Sequence, residues 1–162
     1  MTAIRYIDGD ATRPVGSSSK IIAHICNDVG AWGHGFVVSV SQEWPEVEYA
    51  YRNWHRLNDY KGTPFELGKV QFVDVMNAPI TCIANMIAQH GLISSENRIP
   101  IKYDKLRECL ELVCEEALSR DLEVHMPKIG SGLAGGKWPI IESIIISTLC
   151  SRDVKVIVYQ LT

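Results

Sequence analysis

The sequence predicts an α/β fold: a mixed, largely parallel sheet with helices on both faces, built as a single domain over residues 1–162. Short β-branched runs alternate with helical patterns along the whole chain. No Pro/Ser/Gly-rich linker or internal repeat divides it; only Ser17 to Ser19 is low in complexity, and it reads as a surface loop. The composition, 46% apolar and 22% charged, is that of one globular domain large enough to close a core without a disulfide or metal staple.

Each element has its own signal. Ile4 to Ile7 and Lys20 to Ile25 read as strands, both ending in polar residues. Gly35 to Glu43 and Pro45 to Leu57 read as helices, the second opened by a proline at a favoured first position. Val70 to Val75 and Ile80 to Met86 form a strand pair across an Asn77-Ala78-Pro79 turn. Asp104 to Arg120 is the clearest helix, with Leu106, Leu110, Val113 and Ala117 on one face. Leu122 to Met126 is a strand, Trp138 to Cys150 a helix, and Val154 to Leu161 a last buried strand.

Charge and cysteine usage exclude several classes. Sixteen basic against nineteen acidic residues give a formal net charge of −3, which argues against direct nucleic-acid binding. A small anion stays open as a ligand, because backbone amides hold phosphate without basic side chains. The opening MTAIRYIDGDATRP has no basic region followed by an apolar core, so no signal peptide is expected. Pro139 to Cys150 is too short and too interrupted to span a bilayer, and no membrane partner is expected. Five cysteines without a CxxC suit a reducing cytoplasm, and no His/Cys spacing suggests a metal. Cys26 reads as a small packed residue rather than a nucleophile, since only His24 is near it in sequence.

In a sheet of this kind the ligand crevice lies at the carboxyl ends of the strands. Two glycine-rich loops fall there. One follows the second strand, from His24 through Asn27, Asp28, Gly30, Gly33, His34 and Gly35 to Phe36. The other follows Leu122 to Met126 and runs through Gly130, Ser131, Gly132, Leu133, Ala134 and Gly135 to Trp138. Consecutive amides ahead of a helix carry partial positive charge, and two such loops suit the two sides of a diphosphate. Gly130, Gly132 and Gly135 also fit GxGxxG, which leaves a dinucleotide-dependent oxidoreductase as a weaker alternative. The acidic residue at the right distance, Asp153, precedes the next strand instead of ending it. A P-loop fails, because Ser131 stands at its first glycine and Trp138 follows Lys137.

With these loops, the opening Ile4-Arg5-Tyr6-Ile7-Asp8-Gly9-Asp10, the Trp44-Pro45-Glu46 continuation and the ending Val158-Tyr159-Gln160-Leu161, the whole chain resembles a macro domain. The similarity is greatest to the branch holding the yeast ADP-ribose-1″-phosphate phosphatases and the terminal ADP-ribose protein glycohydrolases. Asn85-Met86-Ile87-Ala88-Gln89-His90-Gly91 and the GLAGG run resemble a bacterial subgroup of it. The resemblance implies a three-layer α/β/α fold that binds ADP-ribose or an ADP-ribosylated protein. It further implies an enzyme, without a cofactor, that hydrolyses ADP-ribosyl esters on proteins, and ADP-ribose-1″-phosphate as well. A non-catalytic reader of ADP-ribose is the alternative.

The same resemblance assigns roles. Asp10 would accept a hydrogen bond from the adenine amino group, Ala11 would offer its amide, and Tyr159 would pack on the base. Asn27 would bind the distal ribose, and His24 would orient it or close a strand end. Gly33, His34, Gly35 and Phe36 would hold one phosphate; Gly130, Ser131, Gly132, Leu133, Ala134 and Gly135 would wrap the other. Read alone, Asp10 equally suits a turn, and Asn27 a loop cap. The glycohydrolase relatives use a lysine and an aspartate at places that fall near Ala88-Gln89 and at Ala134 here, so a lysine adduct is not expected. The remaining candidates for orienting water or carrying a proton are Asn27, Asp28, His34, Gln89 and His90.

Overall fold

The structure, a computed structural model, describes residues 1–132 and 134–161. Among them, six strands form one sheet: β1 (Arg5–Asp8), β2 (Lys20–Asn27), β3 (Val70–Asn77), β4 (Ile80–Gln89), β5 (Glu123–Pro127) and β6 (Val156–Gln160). Their order is β1-β6-β5-β2-β4-β3, parallel throughout except where β3 pairs with β4. The helices are α1 (Phe36–Glu43), α2 (Pro45–Leu57), α3 (Tyr103–Arg120) and α4 (Trp138–Thr148), the last continued by a 3₁₀ turn, Cys150–Arg152.

The sheet is buried on both faces, which explains why its central strands read as continuous apolar runs. Along β2, Ile21 and Ala23 face the core shared with α3 and α4, while Ile22 and Cys26 face the core shared with α1 and α2. β4 divides in the same way: Cys82, Ala84, Met86 and Ala88 lie on the first face, Ile83 and Ile87 on the second. The helices are of ordinary make. Pro45 opens α2, Glu46 and Glu48 occupy its first turn, His55 and Arg56 its last, and Asn58 closes it with a left-handed residue.

Five of the six strands outrun their expected ends, β2 and β4 with the most consequence. β2 continues to Asn27 and β4 to Gln89, paired through Cys26↔Ile87 and Asn27↔Gln89 across a bulge. The last strand is shorter than expected, and the final helix stops at Thr148. More consequential for function, β2 pairs with β5 only through Lys20, Ile21 and Ile22. Beyond that ladder the carboxyl halves of β2 and β5 part, and Pro127 has no N–H with which to rejoin them. A crevice opens between the two glycine-rich loops. No helix among the described residues is long and apolar enough to cross a membrane.

Candidate functional site

The crevice is a cleft of about 710 Å³. From the first loop it is lined by His24, Asn27, Gly33, His34, Gly35 and Phe36, and from the second by Gly130, Gly132 and Ala134. Gln89 closes it at the end of β4. Asp28, His90, Ser131 and Gly135 are not part of this lining, and Leu133 lies outside the described residues.

Asn27 is the hub of the first loop. Its carboxamide oxygen accepts from the amides of Val29 (3.0 Å) and Ala31 (3.1 Å) and lies 3.0 Å from the Tyr51 hydroxyl. That hydroxyl donates to the Asn27 carbonyl at 2.6 Å. Asn27 Nδ2 donates to the Ala31 carbonyl (2.8 Å), and its second hydrogen has no partner among the described residues. Behind the loop, Asp28 clamps the segment after β4: His90 Nδ1 lies 2.7 Å from one carboxylate oxygen, and the Gly91 amide donates to the other at 2.8 Å. Gln89 Nε2 donates to the Gly91 carbonyl. Asp28 and His90 thus fasten two loops together from outside the cleft.

The second loop is held by its own backbone and by the segment before α3. Gly136 N donates to Gly130 O (2.7 Å), Gly135 N to Gly132 O (3.0 Å), and Ile101 N to Ala134 O (3.0 Å). The Ser131 hydroxyl donates to Lys128 O (2.9 Å), which leaves its oxygen only as an acceptor. Gly130 has φ +73°, a left-handed backbone that favours glycine, and a Cβ there would also come within 2.6 Å of Ile101 Cδ1.

Ala11, just after β1, packs with Ile157 and Tyr159 of β6 in a separate cluster that touches Phe36 of the cleft wall, and Asp10 directly precedes Ala11. One oxygen of Asp10 is occupied by Thr12, through its amide (2.9 Å) and hydroxyl (2.7 Å); the other has no partner among the described residues. The Tyr159 hydroxyl accepts from Val15 N (2.9 Å) and lies 2.7 Å from His125 Nδ1, while His125 Nε2 meets Glu123 Oε1 at 2.8 Å. The Tyr159 hydroxyl is thus committed within the fold, and its ring is buried.

Some lining residues escape sequence reading. Arg52 reaches the cleft from α2, its Nε on Glu48 (2.8 Å) and its two other nitrogens 3.3 Å from the carbonyls of Gly30 and Trp32. In the sequence it is one half of an ordinary Glu48–Arg52 helix pair. Trp32 is buried with its indole nitrogen unpartnered among the described residues, and it packs edge-on against His24. Leu92 and Ile93 form an exposed apolar lip. Asp153, the acid of the dinucleotide alternative, pairs instead with the amino terminus of Met1.

His24 lies fully inside the wall, and burial pulls its pKa from 6.5 down to about 4. The unfolded chain takes up this proton near pH 6.5 and the folded chain only near pH 4, so stability is fully present above the first value and lost toward the second. Unfolding by urea is expected to require about 3 kcal/mol less at pH 4 than at pH 7 on this account. A His24→Phe variant that keeps the whole pH dependence would contradict the assignment. Burial also pushes the Cys26 thiol well above its ordinary range, and all five cysteines are free and buried.

These features define a three-layer α/β/α protein whose split sheet and paired glycine loops enclose one cleft. The chain is 30% identical over 171 residues to the ADP-ribose 1″-phosphate phosphatase of Lodderomyces elongisporus, covering 96% of this chain and 98% of that protein. A solved structure from Bacteroides thetaiotaomicron is 48% identical, with a TM-score of 0.90 and 98% of each chain covered. A macrodomain protein from Streptomyces coelicolor is 44% identical, with a TM-score of 0.82, covering 96% of this chain and 97% of its own. No protein-family profile matches the sequence. The chain belongs to the macro domain family.

Proposed function

We propose that the protein binds ADP-ribose in this cleft and hydrolyses ADP-ribosyl linkages, releasing ADP-ribose from esterified acidic side chains of proteins and accepting ADP-ribose-1″-phosphate as well. The observation that carries the reading is the convergence of two glycine-rich backbones on opposite walls of one cleft, with Asn27 and Gln89 between them. The loops take the diphosphate through backbone amides, so a chain of net charge −3 needs no basic surface. The patch of Asp10, Ala11 and Tyr159 takes the base beyond Phe36, and the uncommitted N–H of Asn27 takes a hydroxyl of the distal ribose.

Ala88 and Ala134 are both buried, and neither supplies an acid, a base or an amine. The chemistry then rests on position. The bond from C1″ to the leaving carboxylate or phosphate breaks with its electron pair on the leaving oxygen, and the ring oxygen stabilises the oxocarbenium-like centre. A water oxygen bonds to C1″, and its proton passes to the leaving group or to the ligand diphosphate. Gln89 and His34 line this end, while Asp28 and His90 hold the loop that carries it. The five free buried thiols suit a reducing cytoplasm.

Incubation of the pure protein with an auto-modified ADP-ribosyltransferase, and separately with ADP-ribose-1″-phosphate, is expected to release ADP-ribose. Absence of release over a buffer control sinks the hydrolytic reading. Ala134 favours a second reading, a reader that binds ADP-ribose without turnover; calorimetric binding with no release would select it.

A further inference from the structure

We propose that Asn85 and Gln71 are positioning residues that set the tautomer of His24, fixing its Nδ1 as an unprotonated acceptor in the cleft wall. His24, Asn85 and Gln71 occupy one register level on three adjacent strands: His24 is opposite Asn85 across β2 and β4, and Gln71 opposite Asn85 across β4 and β3. All three are buried, on a face otherwise made of Ile22, Cys26, Val73, Ile83 and Ile87. A row of polar side chains in such a face is costly unless each finds its partner.

The row has a direction, and a backbone carbonyl imposes it. Gln71 Nε2 lies 2.9 Å from the Ala50 carbonyl of α2, which can only accept. Gln71 must therefore present its amide N–H there and turn its oxygen toward Asn85. Asn85 Nδ2 donates to that oxygen at 2.9 Å. Asn85 in turn presents its own oxygen to His24 Nε2, 2.5 Å away, so Nε2 carries the hydrogen. Reversing either amide would place two oxygens, or two N–H groups, against each other. The neutral ring that burial favours thus has only one tautomer available.

Nδ1 is left outside the row; the Cys26 sulfur lies beside the ring, 4.0 Å from Nδ1 and 3.9 Å from Nε2, and the ring packs against Trp32 and Phe36. His24 lines the cleft but is only 1% exposed, so in the function proposed above its fixed ring shapes the wall against which the distal ribose rests. A helix on the outer layer, through Ala50, thereby decides which ring nitrogen of a cleft-wall histidine carries the hydrogen.

The test is nitrogen NMR of histidine-labelled protein, with His24→Phe used to assign the resonances. At neutral pH the His24 ring is expected to show a protonated Nε2 and an unprotonated Nδ1. A protonated Nδ1, or an imidazolium, overturns the proposal whether or not the protein hydrolyses anything. Gln71→Met, remote from the ligand, is expected to give nitrogen shifts averaged between tautomers. It should also lower kcat about tenfold while leaving KM nearly unchanged. Unaltered His24 shifts in a folded Gln71→Met variant would remove Gln71 from the relay. If the wild-type tautomer is as stated but no ADP-ribose is released, the hydrolytic reading fails and the relay stands.

Discussion

Gly135→Ala is expected to abolish ligand binding and to destabilise the fold by about 2–4 kcal/mol. Gly135 has φ +73°, and a Cβ there would run into the Arg98 carbonyl oxygen and come within 3.1 Å of Ile99 Cα. Both obstacles are backbone, and the segment that carries them is tied to the same loop by the bond from Ile101 N to Ala134 O. Neither side can yield without parting the loop from the segment before α3. Gly33 provides the contrast, since nothing lies within 4 Å of its added Cβ and its backbone is not left-handed. Gly33→Ala should melt with the wild type yet bind ADP-ribose more weakly, because its methyl group would point where the loop meets a ligand. Thermal melting and calorimetry on the two variants separate these effects. A Gly135→Ala protein that melts and binds as the wild type does would show that the close backbone approach is not a constraint.

The contrast between these glycines also marks how far the sequence could be read. That glycines stand where strands meet helices is visible as spacing, and it is enough to place both loops at the carboxyl ends of the strands. Which of them is locked depends on what crosses behind it, and Arg98 and Ile99 are separated from Gly135 by more than thirty residues. The elements themselves were legible because α3 keeps its period and the two-faced strands keep their apolar runs. Their ends were not, for β2 and β4 extend through polar residues that only cross-strand pairing satisfies. The row of His24, Asn85 and Gln71 was hidden for another reason: each falls inside an expected strand, and only the register sets the three side by side. Arg52 was hidden differently, its cleft contacts resembling a solvated helix pair until the first loop folds back over α2.

Asn27→Ala is the second substitution with a large expected effect, and its consequences go beyond a lost ligand contact. The carboxamide fastens Val29 and Ala31 of the first loop. Its removal strands two backbone amides and a carbonyl next to a largely buried site, at an expected cost of about 2–4 kcal/mol. Affinity for ADP-ribose should fall at least tenfold, because the glycines that follow lose their fixed exit from β2. Two further variants divide the loop's support from the ligand's. Tyr51→Phe removes the hydroxyl bound to the Asn27 carbonyl and should cost about 1 kcal/mol with little change in affinity. Asn27→Asp keeps an acceptor for Val29 and Ala31 but loses the donor to the Ala31 carbonyl, and it sets a negative charge in the cleft. It should therefore retain more stability than Asn27→Ala while binding the diphosphate ligand as weakly or more so. Equal affinities in Asn27→Asp and the wild type would mean that the asparagine serves the loop alone, and that the distal ribose is held by other atoms of the cleft.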